Sequence, residues 1–353
     1  MLTRPAVLAP LLARLHGVDR LVLLGDTLEL RHGPARDALA VAEPVLRAIG
    51  EALGPGGQVV LVPGNHDHAL AAGWLDWRAR RDGPDPLGLD ERVAPERASW
   101  IAKRVAGWLG PAAVEVAYPG VWLREDVYAT HGHYLDAHLA IPTVERLAIG
   151  AVARMTGAIP DPARPEDYEA VLAPLYAFNQ ASAQRVDGHH TALGGRSSMG
   201  IWRSLSGEGR GRRLRGVALR AAFAAGVALV NRAGLGPVQT QVGIADLRRA
   251  GLTAIGEVAR RLRVAPAHLV YGHTHRMGML DGDDPAEWRT PGGIALHNTG
   301  AWVHDPEFIG RGPGSASPYW PGGAVALGDA GPPRLERLLA HLPESALRLP
   351  GRP

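Results

Sequence analysis

LVLLGDTLEL, residues 21–30, joins a short apolar run to a glycine turn and then to polar side chains. A second run of this kind, VVLVPGNHD at residues 59–67, follows a stretch with helical periodicity from about Arg36 to Leu53. A short apolar strand, a helix and another short apolar strand are typical of a parallel sheet. The sequence therefore predicts an α/β fold with its chemistry in the loops at the carboxyl ends of the strands.

Beyond this β-α-β unit, further strands are predicted between residues 114 and 130 and, after a long gap, from residue 268 onwards. VEVAY, VWLR and DVYAT, between residues 114 and 130, are short runs separated by Pro-Gly and Glu-Asp turns, which favours neighbouring antiparallel strands. Strands are predicted again at 268–271, 294–298 and 324–327, and the Pro-rich segment after Gly331 is expected to hold one short helix. Residues 5–15 are expected to form a surface helix, since no cleavage site of a secretory signal follows them.

The change in pattern also predicts the domain organisation. Strand signals are sparse and helical periodicity dominates between the two strand-rich parts of the chain. We predict a sheet domain formed by residues 1–134 and 265–335, a helical insertion of residues 135–264, and a C-terminal tail of residues 336–353.

The amino-acid composition limits which metal ligands and catalytic groups the chain can use. The chain contains no cysteine, which excludes disulfide scaffolds, thiolate zinc sites and cysteine nucleophiles. Any metal ion must therefore be held by His, Asp, Glu or Asn. The 353 residues carry a net charge of only +3 and no basic run interleaved with aromatic residues, so nucleic acid is not an expected partner.

Four polar strings directly follow predicted strands: GDTLE at residues 25–29, GNHD at 64–67, HGH at 131–133 and GHTH at 272–275. A strand that leads into a glycine turn fixes the backbone of the next polar side chain, which a rigid ligand set requires. Taken alone, Asp26 is more often a turn residue, and His131 and His133 are often ordinary half-buried histidines. Together, Asp, Asn and His suit Mn, Fe, Zn or Co rather than Ca.

In this order, the four strings resemble the calcineurin-like metallophosphoesterase superfamily, whose pattern is D-x-H, GD-x-x-D, GNH-D/E, a later HG or GH, and GH-x-H. The resemblance covers the sheet domain and not the insertion. It implies a four-layer αββα sandwich of the metallophosphatase type with two divalent metal ions at the strand ends; the insertion is expected to add a helical cap. It also implies that Asp26 bridges the two ions, that Asn65, His131 and His273 hold one of them, and that His275 holds the other.

Such a site would hydrolyse a phosphomonoester, phosphodiester or pyrophosphate with metal-activated hydroxide. His66 is the predicted general acid, and Asp67 is predicted to hydrogen-bond its ring, with a turn-stabilising role as the alternative. Asn65, His133 and Arg196 are the predicted substrate contacts, and an outer-shell position is the alternative for His133. Asn298 and Thr299, which follow a late strand, are expected to brace the site.

The sequence departs from the family pattern in two places. Glu29 stands where Asp is more common, at a position that usually supports the site. The D-x-H motif is missing; in the family it ends the first strand and supplies two ligands to the ion shared with His275. We hypothesise that the natural product is longer at its N-terminus. The alternative is a catalytically impaired relative that binds a phosphorylated ligand.

The insertion is expected to select the substrate, because it leaves the sheet domain just after His133 and returns just before His268. Four arginines between residues 210 and 215 precede an apolar run at 216–230 that is too short to span a bilayer. We expect a buried cap helix, a cytoplasmic protein and a phosphorylated small-molecule substrate. The alternative is an interfacial helix with peripheral membrane contact and a lipid-linked pyrophosphate. A nuclease of the same superfamily would require a basic track, and none is visible.

Overall fold

The structure is a computed structural model that describes residues 1–139, 149, 152, 157–184, 244–309 and 316–348. The chain divides into two compact units, one formed by Met1–His133 with Pro266–Pro353 and the other by Tyr134–Ala265. The predicted limits of the insertion, residues 135 and 264, each lie one residue inside the second unit. Arg196 and the apolar run at 216–230 lie outside the described residues.

Helices and strands alternate along the chain from residue 5 to residue 98. In chain order, the strands are β1 (Arg20–Leu24), β2 (Gln58–Val62), β3 (Asp90–Val93), β4 (Ala113–Arg124), β5 (Val127–Thr130), β6 (His268–Tyr271), β7 (Met277–Gly278), β8 (Ala295–Thr299), β9 (Gly323–Ala326) and β10 (Arg334–Arg337). The helices are α1 (Pro5–Leu15), α2 (Ala35–Leu53), α3 (Ala69–Ala79), α4 (Pro95–Ala98), α5 (Trp100–Leu109), α6 (Pro165–Gln184), α7 (Ile244–Arg261), α8 (Pro306–Ile309) and α9 (Glu344–Leu347), with a 3₁₀ turn at His133–Ala137.

The first unit is built on a curled mixed sheet with the strand order β1-β2-β4-β5-β6-β8-β7, and β3 pairs with β4 at the side. β1 pairs in parallel with β2, as the first two apolar runs predict, and α2 connects them. β2 pairs in parallel with the start of β4, and β5, β6 and β8 form a second parallel set. The predicted antiparallel pairing between residues 114 and 130 is confirmed for β4 and β5.

β4 is longer than predicted, because VEVAY and VWLR form one strand rather than two. The Pro119-Gly120 pair between them predicts a turn, since proline is rare inside strands. In the structure this pair lies where β4 changes partners: pairing with β2 ends at Val116, and pairing with β5 begins at Gly120. Proline lacks the N–H that a continuous ladder needs, so it is tolerated at this exchange of partners.

Both faces of the sheet are buried around β2, which explains why that strand is apolar from Val59 to Val62. Val59 and Leu61 belong to a core cluster that includes side chains from α2, α3 and α5. Val60 and Val62 point the other way and pack with side chains of β4, β5 and β6, among them Val127 and Val270. One face of the sheet around β2 is thus covered by helices, and the other packs against side chains of β4, β5 and β6.

The C-terminal segment is more structured than the single predicted helix. β9 and β10 pair antiparallel as a separate two-stranded sheet, and β10 was not predicted because RLER at residues 334–337 has no strand-like run of apolar residues. Beyond β10, Leu339 and Leu347 are fully buried with Val7 and Trp320. Residues predicted as a tail therefore form part of the core of the first unit.

The second unit contains the described helices α6 and α7. Tyr134 stacks on Tyr168 with ring centroids 4.6 Å apart, and its hydroxyl donates to Glu169 at 2.6 Å. Arg260 in α7 forms ion pairs with Glu257 and with Asp161. Among the described residues, no helix is both long enough and apolar enough to cross a membrane.

Candidate metal centre

All four polar strings lie at the carboxyl ends of strands, as the sequence predicts. Gly25–Glu29 follows β1, Gly64–Asp67 follows β2, His131–His133 follows β5, and Gly272–His275 follows β6. Because β1 is parallel to β2 and β5 is parallel to β6, each pair of loops emerges at one edge of its set of strands.

Asp26, His131 and His273 form a group in which one potential ligand atom of each residue lies within 4.8 Å of the others. Asp26 Oδ2 is 3.2 Å from His131 Nε2, and the His131 and His273 rings are 5.2 Å apart between centroids. His131 Nδ1 is 2.9 Å from the carbonyl oxygen of Leu24, to which an Nδ1–H donates. That hydrogen bond makes Nε2 the ring nitrogen that faces Asp26, so Nε2 of the neutral ring could coordinate a metal ion, as in histidines that bind metal ions.

Asn65 belongs to the same group, and its buried amide has two orientations. With its oxygen turned inwards, Oδ1 is 3.3 Å from each of His131 Nε2, His273 Nδ1 and Asp26 Oδ2. With the amide turned over, its nitrogen donates to Asp26 and His273, and its oxygen accepts from Arg31 at 3.0 Å. Four acceptor atoms that face one another repel unless a cation or proton lies among them, so the inward oxygen is the orientation that a bound cation requires.

Two glycines permit the close approach of these loops. A Cβ at Gly25, whose φ is +84°, would lie 2.1 Å from His131 Nδ1. A Cβ at Gly64 would lie 2.3 Å from Asp26 Oδ1. The glycines in the GD and GNHD strings are therefore required by the space that Asp26 and His131 occupy.

Without a bound cation, a proton on the His131 ring balances the negative charge of the Asp26 carboxylate. Burial opposes a charge on His131, but the adjacent Asp26 carboxylate outweighs it and raises the pKa of His131 to about 9. The same histidine contacts hold the pKa of Asp26 well below its usual range, although burial acts in the opposite direction. A bound cation would replace the proton of His131, since only the neutral ring coordinates.

The predicted hydrogen bond from Asp67 to the ring of His66 is wrong, because the Asp67 carboxylate has other partners. Its fully buried carboxylate accepts backbone N–H groups: Oδ1 from Asp26 at 3.1 Å and Gly64 at 2.7 Å, and Oδ2 from Thr27 at 2.7 Å and Leu28 at 3.2 Å. Conversely, Asp26 Oδ1 accepts the backbone N–H of His66 at 2.9 Å. The two aspartates thus tie the β1 and β2 loops together, which is the turn-stabilising alternative for Asp67.

Glu29 is the ring partner that His66 has instead. Glu29 Oε2 is 2.7 Å from His66 Nδ1, and His66 Nε2 is 4.0 Å from Asp26 Oδ2. Burial lowers the pKa of His66, but the hydrogen bond to Glu29 and the charge of Asp26 outweigh burial and raise it. Arg31 NH1 lies 3.4 Å from His66 Nε2. Its guanidinium adds a cationic group that is not part of the four polar strings. The sequence feature that could have identified Glu29 as this partner is its position three residues after Asp26, in the same loop.

The GHTH turn presents two histidines with unusual backbone conformations. His273 and His275 have φ of +65° and +60°, and Asp26 has +51°. Non-glycine residues adopt this region at a cost and are concentrated at functional sites. Asn298 supports the turn, because its amide donates to the Gly272 carbonyl at 3.2 Å and to Thr274 Oγ1 at 2.8 Å.

The remaining predicted residues lie outside the ligand group. His275 is not within it, although its ring interacts with the charges of Asp26 and His273; burial lowers its pKa to about 4, so its ring is neutral at neutral pH. His133 is only 1 % exposed and packs 5.6 Å from the His131 ring, which favours the outer-shell alternative over substrate contact. The Thr299 hydroxyl donates to the Gly300 carbonyl at 3.3 Å, close to the turn that Asn298 braces.

Comparisons of the chain with protein-family models, with curated proteins and with solved structures find no match. The geometry of the site itself therefore carries the functional assignment.

Proposed function

We propose that this chain is a metal-dependent phosphoesterase of the calcineurin-like type. The observation that carries the proposal is the meeting of Asp26, Asn65, His131 and His273 at one point. These residues come from four loops that are distant in sequence, and each loop follows a strand. One carboxylate, two imidazoles and, with its oxygen turned inwards, one amide form a set that suits Mn, Fe, Zn or Co.

The spacing of these atoms fits a cation of that kind. Ligands at about 2.1 Å from an ion, separated by 90–109°, lie about 3.0–3.4 Å from one another. The contacts around Asn65 Oδ1 and between Asp26 and His131 are 3.2–3.3 Å. We therefore infer that one ion would be held by these four residues. A second would share Asp26 and use His275, whose neutral ring and strained backbone support a ligand role.

Such ions supply Lewis-acid activation of water and of a phosphoryl group. The side chains around them supply the rest. His66 Nε2 lies 4.0 Å from Asp26 Oδ2, and Glu29 contacts the Nδ1 side of the ring, which supports a role for His66 in protonating the departing oxygen of an ester. Arg31 lies beside His66 and Asn65, where its guanidinium would bind a phosphoryl oxygen.

The fold is compatible with the proposed superfamily. The curled sheet has one parallel set around β1 and β2 and another around β5, β6 and β8, with an apolar cluster between them. A helical layer covers the outer face of the first set. We infer from this arrangement the four-layer αββα sandwich that the motifs imply.

One observation favours a second candidate, a one-ion relative that binds a phosphorylated ligand with little turnover. Among the described residues, the only three-residue ligand group that includes Asp26 comprises Asp26, His131 and His273, and His275 lies outside it. Hydrolysis of a lipid-linked pyrophosphate at a membrane surface stays a hypothesis, because residues 216–230 and Arg196 are outside the described ranges.

The experiment is a metal-reconstitution assay on the full chain. Protein stripped with a chelator is reloaded with Mn²⁺ and assayed on para-nitrophenyl phosphate and its bis-ester. Asp26→Asn should lose both metal and activity, whereas His66→Ala should keep its metal and lose about 10²- to 10⁴-fold in turnover. His341→Gln, at an exposed histidine outside the site, is the matched control. Full metal content together with no hydrolysis by the wild type would favour the one-ion binding protein, and absence of bound metal would exclude both.

A further inference from the structure

A second group of metal-ligand side chains lies beside the proposed centre. It consists of Glu29, His32 and His66, here called the rim cluster, and one potential ligand atom of each lies within 4.8 Å of the others. Both imidazole Nδ1 atoms face the same carboxylate oxygen: Glu29 Oε2 is 2.9 Å from His32 and 2.7 Å from His66. The two rings are 5.9 Å apart between centroids and are tilted by 59° to each other.

The loops that follow β1 and β2 both hold the rim cluster in place. The second oxygen of Glu29 accepts the backbone N–H of Arg31 at 2.9 Å, so the carboxylate cannot turn freely. Leu28 and Leu30 on either side of Glu29 are almost fully buried and anchor the β1 loop. His66 comes from the β2 loop, and its carbonyl accepts from the N–H of Leu30 at 3.3 Å. The convergence therefore depends on the packed loops and is not a chance contact of free side chains.

The donor set has the composition of a transition-metal site. Two imidazole nitrogens and one carboxylate oxygen with an open fourth position are a set that zinc accepts. Ligand atoms around such an ion lie about 3.0–3.4 Å apart, so the cluster must open by about 0.5 Å. The side chains of Glu29 and His32 are 46 % and 45 % exposed, and their outer positions leave room for that adjustment. Arg31 contributes a repulsive charge, which the carboxylates of Glu29 and Asp26 offset.

We propose that the rim cluster is a separate, inhibitory binding site for a transition-metal cation, with Zn²⁺ as the ion that its ligands suit best. The inhibition, though not the binding, rests on the proposed phosphoesterase function. An ion in the cluster occupies His66 Nδ1 and Glu29 Oε2, the two atoms whose hydrogen bond orients the proton-donating ring. Turnover therefore falls as the ion binds, while the centre around Asp26 keeps its own ligands.

His32 is the residue that separates the two sites. It belongs to the rim cluster and not to the ligand group around Asp26, and its side chain is nearly half exposed. His32→Gln should therefore remove one ligand of the inhibitory ion without disturbing the fold or the basal reaction. His341→Gln removes an exposed histidine elsewhere and serves as the matched control.

The first test is binding, which requires no activity. Full-length protein loaded with Mn²⁺ is dialysed against buffered free Zn²⁺, and both metals in the protein are measured. The sum of Mn²⁺ and Zn²⁺ bound to wild type and to His341→Gln should exceed that bound to His32→Gln by one ion at the same free Zn²⁺ concentration, because Zn²⁺ that replaces Mn²⁺ around Asp26 leaves the sum unchanged. The affinity for that ion should fall by about 10- to 100-fold or more in His32→Gln. Equal Zn²⁺ binding by His32→Gln and wild type would show that the rim cluster does not bind Zn²⁺.

The second test is inhibition of the Mn²⁺-loaded enzyme by Zn²⁺. The concentration for half-inhibition should rise by at least about 10-fold in His32→Gln, with uninhibited turnover unchanged, and should not move in His341→Gln. Inhibition of His32→Gln at the wild-type concentration would refute the inhibitory role. Should no form of the protein hydrolyse any ester, the proposed function fails, and the dialysis result still decides whether the cation site exists.

Discussion

Replacing Gly25 by alanine tests whether the loops around Asp26 and His131 are as tightly packed as the structure requires. Two separate costs are expected. At φ +84°, a residue with a Cβ costs about 1–2 kcal/mol relative to glycine. The added Cβ also meets His131 Nδ1 at 2.1 Å and Cγ at 2.3 Å, an overlap that must be relieved by moving the ring.

The size of the second cost follows from the contacts. Overpacking of a buried site costs about 1–3 kcal/mol. Moving the ring also breaks the 2.9 Å hydrogen bond from His131 Nδ1 to the Leu24 carbonyl, which contributes about 0.5–1.5 kcal/mol. We therefore expect Gly25→Ala to lower the free energy of unfolding by about 3–6 kcal/mol in total. It should also reduce bound metal, because His131 is displaced.

Gly331→Ala is the matched control. Gly331 has φ +82°, and its added Cβ would meet nothing within 4 Å. It shares the backbone cost and the loss of chain entropy in the unfolded state but not the collision, so the difference between the two variants isolates the contact with His131.

The assay is urea denaturation followed by tryptophan fluorescence, since every tryptophan except Trp202 lies in the first unit. Gly25→Ala should be less stable than Gly331→Ala by about 2–4 kcal/mol. Equal stabilities and equal metal contents would refute the packing of Gly25 against His131, and with it the geometry of the centre.

Three further predictions address other contacts. Glu29→Gln should lower turnover about 10-fold or more with unchanged metal content, because His66 loses its ring partner; unchanged turnover would show that Glu29 does not orient the acid. Asp283→Ala should lower the free energy of unfolding measured in urea by about 3–5 kcal/mol, because Arg276 loses the carboxylate of an ion pair whose side chains are only 10 % and 7 % exposed. A loss below about 1 kcal/mol would contradict this. The hydrogen bond from Arg260 lowers the pKa of Glu257 to about 2, so its stabilisation is complete above the ordinary value of 4.5 and is lost as the pH falls towards 2; melting temperatures of wild type and Glu257→Gln should converge over that range.

Much of the candidate ligand set could be predicted from sequence because the β1, β2, β5 and β6 strands are short apolar runs that lead into polar strings. That regularity placed Asp26, Asn65, His131 and His273 at strand ends, where the structure brings them together. The role of Asp67 could not be predicted in the same way. A carboxylate next to a histidine in sequence suggests a pair, but the Asp67 side chain points into the loops and accepts four backbone N–H groups.

The sequence by itself determined the parallel β-α-β start, the strand-end loops and the residue types at their tips, because apolar periodicity and glycine turns are local signals. Only the tertiary structure decided which side chains meet: Glu29 with His66, His32 beside them, and His275 outside the ligand group. It also decided that Pro119 continues β4 and that residues 334–347 pack into the core. These outcomes depend on contacts between segments far apart in the chain, whose free energy is absent from any local stretch of sequence.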